Sequence, residues 1–112
     1  MGDKWHNLSA VDLGKCIARG EIHPVELTQY FLDRIKTVDA DHRIYVRTTE
    51  GRALIEAEGS AARAKKGTLR SSLDGVPISW KDLYDTAGIA TEGGTPLLAG
   101  RVPKDDAVVL AR

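Results

Sequence analysis

The sequence predicts an α/β fold whose sheet is only begun, and three observations predict it. Helical periodicity dominates the first third of the chain, two short runs rich in β-branched and aromatic residues come after it, "RIYVRTT" and "VPISW", and a further helical stretch separates them. That αα-β-α-β order is the order of a sheet with helices on its faces. Two strands alone are marginal in water. The 112 residues therefore read as the opening part of a larger single domain, with a helical part over about 8–38 and the start of a sheet core over about 43–112.

Each element has a local cause. Ser9 with Asp12 three residues on resembles a capping box, and Val11, Cys16 and Ile17 then serve as apolar positions until Gly20 stops the helix. In "EIHPVELTQYFLDRIKTVD", Pro24 stands at a first helical position, and Leu27, Tyr30, Phe31, Ile35 and Val38 recur at intervals of three and four. "RIYVRTT" places Ile44 and Val46 on one side of a strand and Tyr45 on the other. The next helix is expected to start at Thr49 as cap, to carry a narrow stripe of Leu54, Ala57, Ala61 and Ala64, and to end at Gly67 behind two lysines. After the loop "TLRSSLDG" comes the strand "VPISW", then an irregular stretch rich in glycine, then "KDDAVVLAR", a helix start capped by Asp105 or Asp106.

Composition excludes several classes of function. Sixteen basic and sixteen acidic side chains cancel, so the positive field that direct nucleic-acid or anionic-membrane binding draws on is missing. The lone Cys16 offers no intrachain disulfide and no cysteine-histidine zinc spacing, which fits a reducing, cytoplasmic setting. No run reaches the roughly 18 apolar residues of a membrane span, and "MGDKWHNLSAVDLGK" lacks the apolar core of a signal peptide. His6, His23 and His42 lie on three different segments, so they read as surface or capping residues and not as metal ligands.

One lysine stands out by its surroundings. In "VPISWK" the period of two puts Val76, Ile78 and Trp80 on one face and Pro77, Ser79 and Lys81 on the other. Taken alone, that pattern gives a lysine facing water, since lysine is almost never fully buried. The residues after Lys81 argue for more: Asp82 and then a long loop with Gly88, Gly93 and Gly94, where backbone can approach a ligand closely. Asp82 either orients the lysine or caps the next turn.

The segment "LDGVPISWKDLYDTAGIATEGGTPLLAG" resembles the lysine segment of the amidase signature enzymes, a pattern of Leu-x-Gly-[Ile/Val]-Pro-x-x-x-Lys-Asp followed by Gly, Thr, a Gly-Ser pair and Leu-x-Gly. Leu73, Gly75, Val76, Pro77, Lys81, Asp82, Gly88, Thr91, Gly94, Leu98 and Gly100 fall in register. The resemblance extends to "LSAVDLGKCIARGEIHPVELTQYFLDRI", which looks like the family's paired N-terminal helices, and to "VPKDDAVVLAR", which looks like its Asp-Ala-x-Val-Val-x-Arg helix.

The resemblance implies an α/β/α sandwich with a mixed central sheet, incomplete in this chain, and hydrolysis of carboxylic amides by a Ser-cisSer-Lys triad. Lys81 would be the triad base, drawing a proton from a bridging serine that in turn activates the nucleophile. Asp82, Gly93, Gly94 and Thr95 would support the site, with Thr95 standing where the family has serine. No cofactor and no metal are implied, and the substrate is a small-molecule amide. Family substrates run from small aliphatic and aromatic amides to fatty-acid amides, peptide amides and the glutamine used in transfer-RNA amidation.

Both catalytic serines belong to a Gly-Gly-Ser-Ser-Gly-Gly region and beyond that has no counterpart in these residues; Ser71 and Ser72 precede the lysine and match neither. The expectation is therefore a chain that supplies one of three triad members, is inactive alone, and self-associates through uncovered apolar faces. The alternative is a non-enzymatic module that docks on a complementary chain. Trp5 and Trp80 are expected in the core, and the basic cluster "AARAKKGTLR" is expected to be solvated at a helix end.

Overall fold

The structure is a computed structural model that describes residues 2–112. They fall into two compact units, one ending at Pro77 and the other comprising Ile78–Arg112.

The first unit is built from three helices: α1 (Ala10–Ala18), α2 (Pro24–Val38) and α3 (Glu50–Lys66), preceded by a 3-10 turn over Gly2–Asn7. Ser9 caps α1 as its sequence predicts, its Oγ accepting the Asp12 N–H at 3.1 Å and donating to the Asp12 carboxylate at 2.8 Å. Of the predicted apolar face, Ile17 is buried and Val11 is exposed; Leu13 and Gly14 take the inner positions instead. His23 caps α2, its Nδ1 accepting the Val25 N–H, and Pro24 begins the helix. Leu27 is fully buried, and it joins Leu13, Ile17 and Ile22 as the core, with Trp5, Cys16, Phe31, Ala64, Leu69 and Val76 packed around it. Helix α3 packs on α2. Thr49 stands at its start without making a side-chain cap, while Gly67 ends it and Thr68 N–H donates to the Arg63 carbonyl.

Neither predicted strand forms a ladder among the described residues; the only β-type pairing there is an isolated bridge between Thr86 and Ile89. At 44–46 the reason is visible. The Asp39 carboxylate at the end of α2 accepts the Ile44 N–H at 2.7 Å and the Tyr45 N–H at 3.0 Å, so the amides a neighbouring strand would need are already committed. At 76–80 the Val76 N–H closes a turn onto the Leu73 carbonyl, and among the described residues no second strand lies alongside.

The loop 69–76 is fastened hard to the helices. Asp74, whose side chain is almost fully enclosed, takes two bonds from the Arg63 guanidinium at 2.7 and 2.8 Å, one from the Ser60 hydroxyl at 2.6 Å and one from the Arg70 N–H at 3.0 Å. Arg63 thus leaves the solvated cluster expected of it. Its bonds hold the Asp74 carboxyl well below the usual carboxylate range. Gly75, at φ 93°, lets this loop lie against Pro24 and Ile17, where a Cβ would come within 3.1 Å of the proline ring.

Candidate active site

The second unit contains Lys81 and is ordered by polar bonds. Trp80, expected in the core, is exposed and meets Tyr84 edge to face at 5.9 Å. Lys81 comes next with its side chain exposed, and its carbonyl accepts the Tyr84 N–H in a tight turn.

Asp82 turns out to be the tie of the loop that leaves the lysine. Its carbonyl accepts the Gly93 N–H at 2.7 Å, and its carboxylate accepts the Glu92 N–H at 3.3 Å. Both ends of the 82–93 loop are thereby held together beside Lys81. Gly93 and Gly94 both adopt left-handed backbone, φ 61° and 69°, a pair of consecutive conformations that side-chain-bearing residues rarely take. Thr95 then uses its hydroxyl to accept the Leu97 N–H and start the 3-10 turn Pro96–Leu98. The structure therefore brings Asp82, Gly93 and the Lys81 backbone together, and it assigns the Thr95 hydroxyl a local capping bond.

Further residues brace this loop through bonds that local spacing does not show. Thr91 is buried, its Oγ accepting the Thr86 N–H and donating to the Ile89 carbonyl. Arg101 forms a two-pronged pair with Asp85 at 2.6 and 2.9 Å, and this pair lowers the pKa of the Asp85 carboxyl and raises that of the guanidinium. Asp106 does not cap a helix. Its carboxylate accepts the Ala87 N–H at 2.8 Å, while the Ala107 N–H donates to the Asp85 carbonyl at 2.8 Å. The last helix, α4 (Val108–Ala111), starts after Ala107 without a side-chain cap. Local spacing predicts a cap for such an aspartate; a partner 19 residues away leaves no signal in it.

Chemically, the arrangement offers an accessible primary amine at the mouth of a loop closed by its own neighbour, with side-chain-free backbone at Gly93 and Gly94. The amidase family profile matches residues 26–112, a span that takes in α3, nearly all of α2 and the whole lysine loop. The chain belongs to the amidase family. Among individual amidase-family relatives, it is 40% identical over 104 residues to the A subunit of glutamyl-tRNA(Gln) amidotransferase from Myxococcus xanthus, covering 93% of this chain and 21% of that protein. It is 36% identical over 105 residues to the protein of that name from Saccharophagus degradans, covering 94% and 22%. With the one from Marinobacter nauticus it shares 39% over 108 residues, covering 95% and 22%. The chain thus spans about a fifth of the length of these relatives. No helix among the described residues is long and apolar enough to cross a membrane.

Proposed function

We propose that this chain contributes the base of an amide-hydrolysing or amide-transferring site, as the N-terminal part of an amidase domain of the α/β/α sandwich type. The observation that carries this reading is the family match over 26–112, which contains Lys81 followed directly by the Asp82 that ties the loop shut.

In this reading Lys81 takes a proton from a bridging serine, and that serine takes one from the nucleophilic serine as it attacks the amide carbonyl. Both serines come from polypeptide outside these residues, so the 112-residue chain alone does not turn over. Asp82, Gly93, Gly94 and Thr95 act by fixing the loop against which substrate and serines meet. The relatives' names place them as subunits of a glutamyl-tRNA(Gln) amidotransferase, which favours a cytoplasmic amidotransferase that frees ammonia from a small amide over a free-standing scavenging amidase.

The test is a hybrid in which this chain replaces the matching segment of the Myxococcus xanthus relative. Amide hydrolysis by the hybrid, lost in Lys81→Ala and also in Lys81→Arg, supports the reading, because a guanidinium stays protonated and cannot serve as the base. A hybrid in which Lys81→Ala retains full activity would refute it.

A further inference from the structure

Two stitches anchor the turn that carries Lys81, and both lie within the Ile78–Arg112 unit. The first is at Asp82, whose carbonyl and carboxylate accept the Gly93 and Glu92 N–H groups. The second is at Asp85, the residue that follows the turn closed by the Tyr84 N–H on the Lys81 carbonyl. Asp85 is gripped from two sides. The Arg101 guanidinium donates to both of its carboxylate oxygens, at 2.6 and 2.9 Å, and the Ala107 N–H donates to its carbonyl at 2.8 Å. Arg101 also joins the second stitch to the first. Its carbonyl accepts the Thr91 N–H at 3.0 Å, its Nη1 donates to the Thr91 carbonyl at 3.4 Å, and the neighbouring Gly100 N–H donates to the Glu92 carboxylate at 2.6 Å.

Stability is a poor account of such a pair. The Arg101 and Asp85 side chains are 40% and 36% exposed, and ion pairs this open to water add at most about 1 kcal/mol to a fold. Two parallel N–H···O bonds instead fix the mutual orientation of the groups they join. A lysine at 101 would supply the charge, and only a guanidinium supplies the fork. Reaction geometry is sensitive on this scale, since a misplacement of about 1 Å can cost about a hundredfold in rate.

We propose that Arg101 is a positioning residue for the candidate base: by clamping Asp85 it fixes the backbone from which the Lys81 side chain projects. The proposal rests on the reading of Lys81 given above, and it adds to that reading a charged residue from the far end of the loop.

The test places Arg101→Gln, Arg101→Lys, Asp85→Asn and the double variant Arg101→Gln/Asp85→Asn in the hybrid with the Myxococcus xanthus relative. Turnover is expressed per active site, counted by end-point labelling of the nucleophilic serine with a fluorophosphonate probe. Arg101→Gln is expected to lower kcat about ten- to a hundredfold, with KM and the thermal midpoint close to those of the parent hybrid. Arg101→Lys does not restore the loss. The alkaline rise of kcat/KM moves up in pH, towards the value near 10.4 of a lysine without a fixed setting. The double variant is no slower than the slower single one, as two ends of one clamp require.

A pair with a merely structural role would lower the thermal midpoint and the number of labelled sites, leaving kcat per site and the pH of the rise where they were. That result overturns the proposal, as do single losses that multiply in the double variant. The 112-residue chain gives a readout that needs no activity and no folded hybrid. There Arg101→Gln should accelerate hydrogen exchange at the Tyr84 and Ala107 amides and leave the Leu27 amide at its wild-type rate; unchanged exchange at Tyr84 overturns the proposal. A Lys81→Ala hybrid with full activity removes the base, and the positioning role with it, while the exchange result still reports whether Arg101 holds the turn.

Discussion

A methyl group placed on Gly14 would lie 1.9 Å from the carbonyl oxygen of Ser72. Helix α1 and the loop that leads towards Lys81 are therefore in backbone contact, with no room for a side chain between them. Gly14→Ala isolates that contact. On propensity the change would stabilise a helix interior by about 1 kcal/mol; against the Ser72 carbonyl it forces a backbone shift that typically costs about 1–3 kcal/mol. Urea unfolding is expected to show a net loss, and a gain would mean that helix and loop do not touch there.

The Asp74 clamp predicts a specific acid sensitivity. Because its carboxyl is held below its unfolded value, near 4, it adds stability above that value and loses its contribution as pH falls below it towards the folded one. The unfolding midpoint of the wild-type chain should drop between about pH 5 and pH 2, and Asp74→Asn should flatten that dependence. At neutral pH the same substitution leaves Arg63 without its counter-charge and is expected to lower the unfolding midpoint. An Asp74→Asn chain as stable as wild type at pH 7 would show that the clamp is idle.

Asp82 is predicted to hold the Glu92 end of the loop as a hydrogen-bond acceptor. Hydrogen exchange at the Glu92 amide should accelerate in Asp82→Ala and stay near the wild-type rate in Asp82→Asn, since the amide oxygen still accepts that N–H. Equal acceleration in both variants would point to a need for the carboxylate charge.

Lys81 should be dispensable for folding. Its side chain is exposed, so Lys81→Met is expected to change the stability of the 112-residue chain by no more than about 0.5 kcal/mol. A larger loss would give the lysine a structural role and weaken its assignment as a base.

How much of this was readable in the sequence depended on the range of the interactions. Ser9, Pro24 and Gly67 act within one turn of chain, and each does what its local pattern predicts. Trp80 is exposed where the core is expected, and Ile44 and Val46 form no ladder among the described residues, because side-chain type reports a preference for a half-buried pleated surface while a strand requires a second strand. Here Asp39 had already claimed the amides at Ile44 and Tyr45. Lys81, Asp82 and the glycine pair were legible as a dense motif. Asp74, Asp106 and Arg101 were not, because their partners lie 11 to 19 residues away, and a charged residue in a turn looks solvated until its partner is found.

Val76 packs on the cluster of Leu13, Ile17, Ile22 and Leu27, and Lys81 is only five residues further along. On a ribosome, where synthesis runs at about 5–20 residues per second, the last contributor to that cluster, Val76, emerges about a second or less before the lysine does, and the others earlier still. The helical base can close without waiting for the rest. The helical unit thus has its whole core in hand before the lysine loop is made.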